Sequence, residues 1–190
     1  FHQLFVGGQR RTRARTPNDG CFYIAAKAPP AKDAATGKEI PRTNTAFVYA
    51  ESELKAWSDL AEANVIVYHS WETSRLRVAA IDEAQRIVSF TGPAAWPFEN
   101  WGPKQRYFVE NVRAALDAPG EWHLDRQNGK LSYLPKAGEA IASAEVIAPR
   151  LDRLVELRGV ADQGKFVEHV TLRGLCFSHA DWTLAPQGHS

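Results

Sequence analysis

Apolar and polar positions alternate with a period of two along most of the chain, and this pattern predicts many short strands. "HQLFVGGQRRTRART" reads as two strands joined at Gly7-Gly8, a pair suited to the positive φ of a tight hairpin turn. Beyond the turn, period two puts Arg11, Arg13 and Arg15 on one face and Thr12, Ala14 and Thr16 on the other. "TPNDG" is a turn and "CFYIAAK" resumes as a strand, while residues 29–45 read as loop. "AFVYA", "NVIVYHSW", "SRLRVAAID" and "RIVSFTG" are further strands, the last two joined by a turn at Asp82 to Gln85. "EWHLDRQNGKLSYLP" is a hairpin around Asn128-Gly129. Two stretches carry helical signals instead. "SELKAWSDLAEA" has Leu54, Trp57 and Leu60 at helical spacing behind Ser52 as N-cap, and "WGPKQRYFVENVRAALDAPG" predicts a helix of about twelve residues ending before Ala118-Pro119-Gly120.

After Ala140 the texture changes to short segments, "SAEVIAP", "RLVELRGV" and "HVTLRGLCF", with polar turns between them. Val-x-Leu-Arg-Gly followed by Val or Leu occurs at Val155 to Val160 and again at Val170 to Leu175, fifteen positions apart. Coincidence is one reading, since two copies are too few for a self-sufficient array. The other is that each copy is one strand of a stacked coil, with Gly159 and Gly174 at equivalent turns.

Length adds a bound: 190 residues suit one domain, or one domain plus a piece of another. The net charge of +1 gives no overall field to draw in nucleic acid or anionic lipid, so neither is an expected partner. No run approaches the roughly 18 apolar residues of a membrane span. Cys21 and Cys176 match no metal spacing and are expected to be two separate buried thiols, although a secreted protein permits a disulfide. The chain has no methionine, position 1 included, which reads as a processed form or an excised piece.

"HQLFVGGQRRTRARTPN", "PGEWHLDRQNGKLSYLP", "VTLRGLCFSHADWTL" and the "HSWETSRLRV" stretch together resemble right-handed parallel β-helix proteins of the glycoside hydrolase family 141 type. The resemblance covers nearly the whole chain and is most specific over Glu121 to Pro135 and Gly174 to Leu184; Gly7 departs from it, standing where a polar residue such as Asn is expected. It implies a mainly β fold: a β-sandwich or barrel-like insertion domain with two short helices, followed by the first coils of a right-handed parallel β-helix. The implied division is residues 1–8 as the end of a preceding β-helix or a first hairpin strand, 9–150 as the insertion domain and 151–190 as the start of the coils. The implied function is that of a carbohydrate-active fragment, its substrates plant polysaccharides such as fucosylated glycans or xylan. The fragment would wall a substrate cleft and be non-catalytic alone, because the catalytic carboxylates of such hydrolases usually lie on later coils. The implied partners are an oligo- or polysaccharide and the remainder of the parent. No cofactor is implied, and the parent would be secreted or periplasmic. A carbohydrate-binding module and a purely structural insertion are the alternatives.

Glycoside hydrolysis needs two carboxyl groups flanking the scissile bond. Glu72, Asp82, Glu99, Glu110, Asp125 and Asp181 are available, and spacing singles out none. "HSWETSR" offers more, because His69, Trp71, Glu72 and Arg75 put an aromatic face, an imidazole and a charge pair at the end of a strand. Sugar rings use such a flat apolar surface with polar neighbours, though a packed core Trp with a partnered His is the competing reading. "SHADWT" supplies His179, Asp181 and Trp182 at the corner after a coil strand, where they either line a cleft or form a turn with an Asp cap. The arginine face of 11, 13 and 15 either meets acidic sugars or pairs with acids of a neighbouring strand. The six histidines show no metal spacing, and neither a phosphate loop nor a Gly-x-Ser-x-Gly elbow is present.

Overall fold

The computed structural model describes residues 1–183, 185–186 and 188–189. These form two compact units: Phe1–Arg11 with Ile141–Thr183, and Thr12–Ala140 with Leu184–Ser190. The described residues are mainly β, with sixteen short strands and three single 3-10 turns.

The larger unit is organised by an open antiparallel sheet. Its central run is β13 (Arg106–Glu110), β10 (Asn64–Tyr68), β11 (Thr73–Asp82), β12 (Ile87–Phe90) and β9 (Ala46–Val48). Short strands extend it: β4 (Arg15–Thr16) and β5 (Phe22–Tyr23) pair with β13, and β6 (Ala26–Lys27) pairs with β9. Among the described residues the order runs from one edge to the other without closing into a barrel. Register sorts the side chains. Val65 lies opposite both Val109 and Leu76, and Val67 opposite both Tyr107 and Ser74. These residues share one face and join Phe47, Phe90 and Phe98 in the core. Phe47 is the hub, with ring centroids 4.9 Å from Tyr107, 5.2 Å from Phe98 and 5.6 Å from Phe90. Pairs at such separations and tilts add roughly 0.5–1.5 kcal/mol each beyond their area burial.

The opposite face of β13 carries Phe108 and Glu110. Phe108 is covered by the Arg15 guanidinium, 3.9 Å from its ring centroid. Glu110 accepts from Arg13 Nη1 at 3.1 Å and also from Arg75. Arg13 thus meets an acid from another strand, as the pairing reading of the arginine face expects, and lies over the buried Trp122 ring at 5.3 Å, whereas Arg15 donates to the Pro17 and Gly20 carbonyls and Arg11 to the Val6 carbonyl. Trp122 belongs to the predicted hairpin β14 (Glu121–Asp125) and β15 (Lys130–Tyr133), and β14 pairs in parallel with β3 (Thr12–Arg13).

Neither predicted helix forms. Residues 52–59 are turn and coil, and only Leu60–Glu62 makes one 3-10 turn. In the second stretch, Arg106–Glu110 is a central strand and a single 3-10 turn follows at Arg113–Ala115. Tyr-Phe-Val favours a sheet, and Tyr107 and Val109 bury toward one side while Phe108 and Glu110 bury toward the other. Asn111, at φ +60, then turns the chain; its Nδ2 donates to the Glu62 carbonyl at 3.1 Å. Tertiary pairing overrides the helix propensity of "VRAAL". Residues 29–45 are not all loop either, since β7 (Ala31–Lys32) and β8 (Glu39–Ile40) form a small hairpin closed by Asp33.

In the smaller unit, β1 (Phe5–Val6) turns through Gly7 and Gly8 at φ +58 and +72 into β2 (Gln9–Arg10), the predicted hairpin. β16 (Val146–Ile147) pairs with β1 on its other edge. The strands expected at "RLVELRGV" and "HVTLRGLCF" are absent, and one isolated bridge, Val160 to Lys165, interrupts extended coil. Leu157, Leu172, Leu175 and Phe177 lie exposed, so nothing in this unit supplies the apolar contact that would hold those segments as strands. The two repeat glycines also differ: Gly174 is left-handed at φ +66, whereas Gly159 is not, and a Cβ there would meet the Lys165 carbonyl at 2.7 Å. Both cysteines are free thiols, Cys21 half-buried and Cys176 exposed rather than buried.

Replacing Glu110 with Gln would leave the Arg13 guanidinium buried without its counter-charge. Chemical denaturation should show a loss of about 3–5 kcal/mol, the range for breaking a buried pair from one side; a loss below about 1 kcal/mol would contradict the role given to this carboxylate.

Candidate functional site

The end of β10 carries the polar site. His69 continues the line of Val65 and Val67, so its ring points to the core face and is only 9% exposed. The chain then turns sharply, with the His69 N–H donating to the Glu72 carbonyl at 2.8 Å. This turn throws Trp71 outward, 65% exposed. A second turn, between Phe98 and β13, brings Trp101 beside it, and Trp96 precedes that turn. Trp71 and Trp101 have ring centroids 4.5 Å apart, Trp96 and Trp101 5.2 Å, and Trp71 and Trp96 5.8 Å. The rings are inclined to one another by 63°, 67° and 79°, so they form an angled corner rather than a flat plate. Trp96 and Trp101 remain 38% and 44% exposed despite these contacts. Three large apolar rings left at the surface together are unusual, because isolated exposed hydrophobes are common and clusters are not.

Gln105 holds the second turn. Its Oε1 accepts the Glu99 N–H at 2.7 Å, and its Nε2 donates to the Tyr68 carbonyl at 3.1 Å and to His69 Nδ1 at 3.0 Å. Because a backbone donor and a backbone acceptor fix which end of the amide is which, His69 Nδ1 must be the acceptor. Its proton therefore sits on Nε2, which donates to Ser74 Oγ at 2.8 Å. Burial lowers the His69 pKa below its ordinary value, and the nearby Glu72 only partly opposes this. Glu72 itself keeps Oε1 buried and without a hydrogen-bond partner. A small cleft of about 180 Å³ opens beside the turn, lined by His69, Glu99, Trp101, Lys104 and Arg106 among others.

Of the first predicted group, His69, Trp71 and Glu72 thus share one turn, and His69 lies 6.4 Å from the Trp101 ring. Arg75 is directed elsewhere, to Glu110 on the other face of the sheet. Trp96 and Trp101 escaped the sequence reading. Their signal was available in "AAWPFENWGP", where each tryptophan abuts a proline or glycine and belongs to no alternating strand.

The second predicted group lies in the smaller unit. Asp181 Oδ1 accepts the His2 N–H at 2.9 Å, Trp182 lies 4.6 Å from the His2 ring, and His179 meets Phe5 edge-on at 4.6 Å. Asp181 here ties down backbone. Among the other acids, Asp82 accepts the Gln85 N–H, Asp125 the Asn128 N–H and Glu99 the Lys104 N–H, each closing a turn. Glu121, which is buried, accepts the N–H groups of Arg15, Asp117 and Ala118. These carboxylates are occupied by the backbone. No cluster of three or more His, Cys, Asp or Glu suited to a metal occurs among the described residues, and no helix among them is long and apolar enough to cross a membrane.

No family model matches the chain, and neither does any curated protein. Among solved structures it is similar to a protein named "Glycoside hydrolase", with a TM-score of 0.74 and 24% identity over 100% of this chain and 33% of that one. The chain therefore spans about a third of the solved protein's length and shares the fold of that portion.

Neutral His69 has a pH consequence. The unfolded chain takes up a proton near the ordinary His value of 6.5, whereas the folded chain resists it to lower pH. Stability is then full above about pH 6.5 and falls as pH drops from there through the lowered folded value. His123, also lowered by burial although its Nε2 lies 3.0 Å from the Asp59 carboxylate, adds in the same direction. Thermal unfolding followed from pH 8 to pH 5 should show a falling midpoint, and His69→Gln should flatten that slope; an unchanged slope would contradict the assignment.

Proposed function

We propose that this chain is the glycan-contacting part of a larger carbohydrate-active protein, and that it receives polysaccharide on the corner formed by Trp71, Trp96 and Trp101. That corner carries the reading: three exposed indoles, 4.5–5.8 Å apart, lie beside a polar turn that offers hydrogen-bonding groups. The faces of sugar rings carry C–H groups that pack on indole, while their hydroxyls need donors and acceptors at the rim. A purely structural insertion has no use for such a surface.

The parent in this reading is a hydrolase of the glycoside hydrolase family 141 type, secreted or periplasmic, acting on plant polysaccharides such as fucosylated glycans or xylan. Residues 9–150 are its insertion domain, 1–8 belong to what precedes it, and 151–190 begin its right-handed parallel β-helix. Two observations support this: the name of the similar solved protein, and the exposed Leu157 and Leu172 at matching places in the two repeats, where a stacked coil would cover them. His179, Asp181 and Trp182 contribute to the parent's cleft from this segment. The chain walls the cleft and is not catalytic by itself, in keeping with carboxylates already committed to backbone.

Titrating the chain with soluble xylan and with fucosylated oligosaccharides should quench tryptophan fluorescence saturably. Trp71→Ala and Trp101→Ala should each weaken binding about tenfold, equivalent to about 1.4 kcal/mol. Reducing-sugar release should stay at background. Absence of saturable quenching with every glycan tried would overturn the reading, as would real turnover by the isolated chain for its non-catalytic part.

A further inference from the structure

We infer that the glycan received at this corner carries carboxylates, so that a uronate-bearing saccharide is preferred over a neutral one. The inference rests on the tryptophan corner being a glycan surface and adds the substrate's charge. Three charged residues line the cleft beside Trp101: Glu99, Lys104 and Arg106. Glu99 is engaged, its Oε1 accepting the Lys104 backbone N–H at 2.9 Å. The Lys104 ammonium and the Arg106 guanidinium, both exposed, have no carboxylate partner among the described residues. Three other cations of this unit do have one. Arg13 and Arg75 share Glu110, and Arg126 reaches Glu62 at 3.5 Å.

Neutral His69 adds no charge at neutral pH, so the cleft lining carries two cations and one carboxylate, with the Glu72 carboxylate close enough to act on His69. Arg106 is also oriented. Its guanidinium lies over the Tyr68 ring, 5.2 Å from the centroid, and stacking of this kind leaves the N–H edge available for a planar carboxylate. Lys104 sits in the left-handed region at φ +59, in the turn that Gln105 and Glu99 tie down, so its position relative to Trp101 is set by the backbone. A saccharide lying on the indoles would thus bring a carboxylate on its ring within reach of two partnerless cations. Neutral sugars gain nothing comparable from them.

The test compares xylotetraose with a xylo-oligosaccharide of the same length bearing one glucuronic acid branch, titrated into the whole chain at pH 7. At low salt the acidic sugar should bind about fivefold more tightly or better, the gain of an exposed charge pair. That advantage should shrink as salt is raised toward 0.5 M, where the Debye length has fallen to about 4 Å. Lys104→Gln and Arg106→Gln should each bring the ratio of the two affinities toward one, and Lys104→Arg should retain the preference. Equal affinities, or a preference for the neutral sugar, would overturn the charge inference and leave the glycan surface standing. Failure of both sugars to bind a folded chain would remove the glycan surface itself, and the charge inference with it.

Discussion

A strand buried on both faces must leave no polar group at its ends without a partner, and β13 meets that constraint differently at each end. At its finish, Glu110 enters an interior that would otherwise reject a carboxylate, and the guanidinium groups of Arg13 and Arg75 hold it there. The pairing joins β3, β11 and β13 across the face of the sheet. Just before its start, Gln105 spreads one amide over a backbone N–H, a backbone carbonyl and an imidazole nitrogen. Removing that amide would orphan groups at the end of β10 and in the turn before β13 at once.

The candidate site is a consequence of the same arrangement. His69 ends the core face of β10, so its ring is buried and needs partners; Gln105 and Ser74 supply them from the neighbouring strands. With the imidazole occupied, it acts as a post on which the turn bearing Trp101 is hung, rather than as a free acid or base. The indoles are then presented by two turns rather than by the strands themselves. Strand alternation would have sent one of every two side chains inward; turns allow three aromatic rings to stay outside and meet. The two cations follow from the same turn, because Lys104 and Arg106 flank the glutamine that ties it.

Much of the sheet was legible in the chain. Val65, Val67, Leu76, Val78 and Val88 alternate with polar or second-face residues, and the burial pattern repeats that alternation. Gly7-Gly8 and Asn128-Gly129 marked hairpins because few other residues tolerate the backbone those turns need. The helices were misread for one reason. Trp57, Leu60 and the "VRAAL" run have helical spacing and propensity, yet a segment of that length is stabilised chiefly by what it packs on, and here the partners are strands. Of the site, the turn containing His69, Trp71 and Glu72 was visible as a cluster of residue types, while Arg75 shared the cluster in sequence and not in space.

Local patterning therefore determined the class of the fold, the hairpins and most of the residues of the sheet's core, because period-two burial and turn chemistry are properties of neighbours along the chain. Only the tertiary structure decided that β13 is a strand, that Glu110 lies between two arginines and that Trp96 and Trp101 meet Trp71. Each of these depends on contacts between residues roughly 25 to 100 positions apart, whose free energy no short window of sequence contains.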